Sequence, residues 1–165
     1  MDPSASINYI HPTTKADLNA LFTGGDNVRI VATFDPALAS TPLPTIALNP
    51  SGTLVNLPAT TMTISGSDTT TWYYDYTVPN TGDGYQNITL GTGESASGNV
   101  ITTLNGGILG TRSFAIDNTL PSILSAAIGS DNIYGSGFAI DGDTITLNFI
   151  ASEPLRVDVD PSINF

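Results

Sequence analysis

The amino-acid sequence predicts an all-β protein, an antiparallel β-sandwich with the start of a second unit of the same kind behind it. Three observations predict it. Apolar residues alternate with period two in short runs. Turn residues recur at about the 8–12-residue spacing of short strands. Thr, Ser, Asn and Gly cover the surface in place of charge, since only 12% of residues are charged. Hydroxyl-bearing and β-branched surfaces favour strands over helices.

The alternation is clearest where Val28, Ile30, Ala32 and Phe34 point one way and Arg29, Val31 and Thr33 the other. Such a period marks a half-buried strand. Further strands are expected at 44–49, 54–57, 60–65, 71–78, 85–92, 99–104 and 112–117. They are punctuated by Asn49-Pro50-Ser51-Gly52, Ser65-Gly66-Ser67-Asp68, the stretch Pro79 to Gly84, and Asn105-Gly106-Gly107. Lys15 to Phe22 reads as a single helical turn. The expected core of a two-sheet sandwich over about residues 5–117 is Val28, Ile30, Ala32, Trp72, Tyr74, Tyr76, Ile88 and Phe114.

An internal repeat sets the organisation. Gly25-Asp26-Asn27-Val28-Arg29-Ile30-Val31-Ala32-Thr33-Phe34 is matched by Gly142-Asp143-Thr144-Ile145-Thr146-Leu147-Asn148-Phe149-Ile150-Ala151, an offset of 117 (142 less 25). Both runs continue into an acidic-Pro turn, Asp35-Pro36 and Glu153-Pro154, and Ser6-Ile7 is matched by Ser122-Ile123. That period fits a sandwich domain of about 100 residues and is too long for a solenoid. The expected domains are 1–118 and an incomplete second repeat, 119–165, with strands at 122–128, 143–151 and 156–164. Ile145, Leu147 and Phe149 would then face a sheet lying outside the chain. A segment of 44 residues (122–165) without cysteine does not close such a core alone. Three outcomes are open to it, namely disorder, packing on the first domain as extra strands, and pairing with a neighbouring chain; the third is expected, with Val157-Asp158-Val159-Asp160 serving as a strand, and head-to-tail pairing would give a filament.

The order of these pieces resembles bacterial immunoglobulin-like repeats. It comprises the Gly-Asp strand start, the Pro turn, Thr71-Trp72-Tyr73-Tyr74-Asp75-Tyr76-Thr77-Val78-Pro79, Gly84-Tyr85-Gln86-Asn87-Ile88-Thr89-Leu90, Gly98-Asn99, and the closing Phe114-Ala115-Ile116-Asp117-Asn118-Thr119-Leu120-Pro121. The resemblance implies an Ig-like sandwich in a large adhesin or other cell-surface protein, strung among neighbouring repeats. Glu94 departs from the pattern, which more often has Asp before Gly-Asn, so no ligand role is carried to it.

Charge and composition exclude several classes. With 15 acidic against 4 basic residues the net charge is −11, which repels nucleic acid and favours divalent cations. No cysteine is present, so there is no disulfide framework, thiolate metal site or Cys nucleophile. No apolar run of about 18 residues exists to span a membrane as a helix. Met1-Asp2-Pro3 lacks a basic start and an apolar core, as expected of a chain whose leader is gone or of an excised piece.

Among candidate sites, acidic clustering at the domain junction points to Ca²⁺ held by some of Asp117, Asn118, Asp141 and Asp143, with Asp83 from an adjacent loop, because Ca²⁺ takes about six to eight oxygen ligands. The competing reading is that Asp and Asn simply form turns. His11 is the only histidine and Lys15 the only lysine, which leaves no triad and little basis for an isopeptide crosslink. Gly24-Gly25-Asp26 is no phosphate loop, and the Asn87-Ile88-Thr89 sequon falls in a strand. The aromatic run Trp72 to Tyr76 belongs in the core by default. Exposed, it would stack on surface glycans as a carbohydrate-binding module does. The expected function is therefore structural and adhesive rather than enzymatic: an extracellular stalk, spacer or fibre module whose partners are neighbouring repeats or identical subunits.

Overall fold

The computed structural model describes residues 2–101, 112–155 and 162. The chain divides into two compact units, Met1–Asn118 and Thr119–Phe165. Among the described residues the regular structure is all β. In chain order the strands are β1 (Ser4–Ile10), β2 (Leu21–Phe22), β3 (Asn27–Asp35), β4 (Thr45–Pro50), β5 (Leu57–Thr61), β6 (Thr63–Ile64), β7 (Thr71–Thr77), β8 (Gly84–Gly91), β9 (Ser113–Ile116), β10 (Ile123–Ser130) and β11 (Ile145–Ala151).

The first unit contains two sheets, ordered β1-β3-β7-β6 and β2-β9-β8-β4-β5. Their inward residues form one core, as in a β-sandwich. Val28, Ile30, Ala32 and Phe34 of β3 and Trp72 of β7 meet Ile46, Leu48, Ile88, Leu90, Phe114 and Ile116 of the second sheet. Tyr74 and Tyr76 pack against this core half-buried. An aromatic cluster ties the sheets together at one end. Phe114 lies 5.7 Å from Tyr9, 5.4 Å from Phe22 and 5.8 Å from Tyr76 by ring centroids. The pairs with Tyr9 and Phe22 are edge-to-face and that with Tyr76 is tilted; edge-to-face pairs add about 0.5–1.5 kcal/mol each beyond area burial. On the solvent face of the first sheet Arg29 makes two 2.7 Å bonds to the Asp75 carboxylate and lies 3.8 Å above the Tyr73 ring.

Several sequence expectations need correction. The segment 15–22 is not helical. Lys15 sits at φ 61°, Asp17 bridges back to Ile10, and Leu18 N–H donates to the Tyr9 carbonyl. This fold-back delivers Leu21–Phe22 to pair in parallel with β9, so the second sheet is mixed rather than purely antiparallel. The strand expected at 54–57 begins instead at Leu57, because Ser51 to Thr53 are held in a turn against residues 83–85. The strand expected at 60–65 is broken at Met62, whose buried side chain marks the point where the chain leaves one sheet for the other. β1 and β2 were not expected as strands. Residues 102–104 of the strand expected at 99–104, and the turn Asn105-Gly106-Gly107, lie outside the described residues, as does nearly all of the strand expected at 156–164, with Val157 to Asp160.

The second unit is described by one antiparallel pair, β10 with β11, with Ala126 opposite Phe149 and Ile128 opposite Leu147. The first unit pairs β1 with β3 in the same way. The alignment of Ser122-Ile123 with Ser6-Ile7 does not keep register, however. Ile123 lies opposite Ala151, whose counterpart at offset 117 is Phe34, and Phe34 faces Ala5 rather than Ile7.

Candidate functional site

The linker residues Asp117 and Asn118 emerge from β9. The Asp117 N–H donates to the Phe22 carbonyl at 2.9 Å, extending the β2–β9 ladder by one bond. Asn118 then acts as a clamp. Its Nδ2 donates to the carbonyls of Pro79 (3.2 Å) and Gly82 (2.8 Å). Its Oδ1 accepts the Gly24 N–H at 2.6 Å, and its own N–H donates to Asp83 Oδ1 at 2.6 Å. One side chain thus joins the loop before β3, the loop before β8 and the end of β9. Gly24 is required by close approach: a Cβ there would sit 2.6 Å from Asn80 Cα and 2.8 Å from Asn118 Oδ1. The loop carrying Asp83 is fixed from the other side, where a Cβ on Gly84 (φ 138°) would meet the Ser51 carbonyl at 2.2 Å.

Asp141 and Asp143 lie in the second unit, in a turn that repeats one in the first. In the first unit the Asp26 N–H donates to the Thr23 carbonyl (3.1 Å), and the Thr23 N–H donates back to the Asp26 carboxylate (3.0 Å). Between them Gly25 takes φ 88°. In the second unit the Asp143 N–H donates to the Ile140 carbonyl (3.1 Å), the Ile140 N–H donates to the Asp143 carboxylate (2.8 Å), and Gly142 takes φ 96°. The offset is again 117 (143 less 26). Glycine tolerates this left-handed backbone and the aspartate closes the turn, an Asx-type use of the side chain. Asp143 Oδ2 also accepts the Asn132 amide at 2.6 Å. That amide, with the Ile140 N–H behind it, holds the Asp143 carboxyl below the usual carboxylate range. Asp141 is exposed in the same turn, at the position of Gly24.

The five expected ligands therefore fall into two sets, Asp83, Asp117 and Asn118 in one unit and Asp141 and Asp143 in the other. The structure brings Asp83 and Asn118 together by a direct hydrogen bond. The amide oxygen that Asn118 would offer a cation already accepts the Gly24 N–H. Among the described residues no group of three or more His, Asp or Glu side chains converges on a common point.

The remaining candidates have local partners. His11 Nδ1 accepts the N–H groups of Thr13 and Thr14, each at 3.2 Å, and so closes the turn leading out of β1. Lys15 Nζ donates to the Pro12 carbonyl within that turn. Asn87, of the sequon, donates to the Asn49 carbonyl across β8 and β4. Trp72 is 2% exposed, and its Nε1 donates to the Thr69 carbonyl at 2.9 Å. The aromatic run is thus core on its inner face and carries Arg29 on its outer face. Sequence reasoning overlooked Asp26 and Asn132. The signal for Asp26 was present, because it is the partner of Asp143 in the repeat. Asn132 has no counterpart there that would have marked it.

No protein-family model, curated protein or solved structure matches the chain.

Proposed function

We propose that this chain is a structural module of an extracellular surface protein built from tandem Ig-like repeats, in which it acts as a stalk, spacer or fibre subunit. The observation that carries the reading is the recurrence of the Thr23–Asp26 turn at Ile140–Asp143. The same two hydrogen bonds and the same positive-φ glycine recur, each turn leading into a strand of the same apolar phase. Two copies of one device at a domain-sized offset are what a tandem array provides. The Asn118 clamp supports the reading, because it finishes the first unit at the residue where the second begins. The acidic, hydroxyl-rich, cysteine-free composition suits export to the cell surface.

Single-molecule extension of the full chain tests the module. A stalk unit yields in one cooperative step as its shared core opens, and a gradual lengthening without a step overturns the reading. A glycan-array screen tests the binding-module alternative, and saturable sugar binding there would replace the spacer reading. Calcium enters only as a stiffener of the linker region. A melting temperature that rises in millimolar Ca²⁺ and no longer rises in Asp83→Asn supports it. Identical curves in Ca²⁺ and chelator remove it.

A further inference from the structure

We propose that the Asn118 side chain is a tension anchor, which passes a pull on the chain beyond residue 118 into the loops before β3 and β8 and so keeps β9 from being peeled away. This role deepens the stalk reading and rests on it, since a module strung between neighbours is stretched along its chain. β9 is the vulnerable element under such a pull. It has four residues, Ser113–Ile116, and it carries Phe114 and Ile116 of the core. Past its end the ladder continues by the bond from the Asp117 N–H to the Phe22 carbonyl. A pull that lifts this end breaks ladder bonds one after another, and each contributes only modestly by itself.

Asn118 stands where that peeling would start. Its side chain and N–H hold Gly24, Pro79, Gly82 and Asp83 together, so four bonds on two loops have to yield at once. Both loops lead to strands flanked on either side. Gly24 precedes β3, which lies between β1 and β7. The loop of Gly82 and Asp83 is tied to the turn after β4. There the Thr53 N–H donates to the Asp83 carbonyl at 3.1 Å, the Asp83 N–H to Thr53 Oγ1 at 3.0 Å, and the Ser51 N–H to the Tyr85 carbonyl at 2.8 Å. β4 in turn lies between β8 and β5. Tension taken up by Asn118 therefore reaches the interior of both sheets rather than one short strand. The anchor also has a direction. It lies beside Gly24, at the end of the sandwich where β3 begins. Ser4 opposite Asp35, and the Phe34 N–H on the Thr70 carbonyl, mark the far end. A load applied wholly at the far end leaves the anchor intact while the core opens.

The test is constant-force unfolding of the full chain, which has no cysteine of its own. One handle is fixed at Ser67→Cys, exposed in the turn before β7 at the far end. The second is placed either at Leu120→Cys, 83% exposed just beyond the anchor, or at the amino terminus. The rate of forced unfolding reads the barrier, and a bond changes that barrier only where it is broken in the transition state. Asn118→Ala is expected to speed unfolding at least about fivefold when the load enters at Leu120, and to leave the rate unchanged when it enters at the amino terminus. Asp83→Ala, which removes one of the four bonds, shows a smaller acceleration in the first direction alone, and decides the matter if Asn118→Ala does not fold. Equal acceleration in both directions would make Asn118 an ordinary stabilising contact and, like an unchanged rate at Leu120, overturns the anchor. Either result stands apart from failure of the stalk reading, which shows in the unaltered chain as lengthening without a step.

Discussion

β3 and β11 share a turn, an apolar phase and one antiparallel neighbour, yet they meet different surroundings. The inward residues of β3 are sealed by a second strand at its edge and by a second sheet across its face. Those of β11 are half-buried or exposed. The difference teaches that the repeated sequence specifies the strand and its turn locally, whereas burial comes from residues far away in the chain. A period-two pattern states which face should be covered and is silent about what covers it.

The largest effect is expected at Trp72. Trp72→Ala should cost the first unit about 3–5 kcal/mol in denaturant unfolding, because the indole is sealed between the sheets and its N–H is satisfied. A loss under about 1 kcal/mol, the range of surface changes, would place Trp72 outside the core. Next comes the matched pair Ile30→Ala and Leu147→Ala. The first should cost about 2–5 kcal/mol and the second under about 1 kcal/mol, read as amide exchange in each unit. Equal costs would break the comparison and mean that β11 is as well covered as β3. Asn118→Ala should cost the first unit about 1–3 kcal/mol, since it strands the Gly24 N–H and two carbonyls at once. The second unit should keep its exchange pattern.

The smallest effect concerns the outer face. The paired Arg29 guanidinium holds the Asp75 carboxyl below the usual carboxylate range. A group with a depressed folded pKa stabilises the fold above its unfolded value, near pH 3.9, and loses that contribution as pH falls through the folded value. Arg29→Gln should therefore remove a component of acid sensitivity confined to pH below about 4. Its worth at neutral pH is under about 1 kcal/mol, because the Asp75 side chain is 48% exposed. Acid unfolding curves of the two forms that superimpose would assign the pair no stabilising role.

Legibility in the sequence followed locality. β3, β4, β7, β8 and β9 carry their alternation within themselves, and six of the eight expected core residues are fully buried, with Tyr74 and Tyr76 partly so. β2 was illegible because two residues carry no period, and only its parallel pairing with the distant β9 makes it a strand. Tyr9 was missed for the same reason, since its place is set by Phe22 and Phe114. At the linker, Asp and Asn were read as cation ligands from charge and composition. The hydrogen bonds that occupy Asn118 come from loops far away in the chain, and no local pattern announces them. The repeated turn was visible as Gly-Asp at two places, but the role of its aspartate as a clasp was not.

The corner at Met62 has a consequence for how this protein avoids unwanted neighbours. β5 and β6 are one segment broken at a single buried residue, and among the described residues each forms the outermost strand of a different sheet. One stretch of eight residues, 57–64, therefore hems both sheets along the same flank. It is a poor template for further growth. Pro58 removes an amide from the border, the threonines are hydrophilic, and the bend leaves only five and two residues in line. Along residues 57–64 a stray strand finds no long straight border to zip against, which disfavours edge-to-edge pairing there.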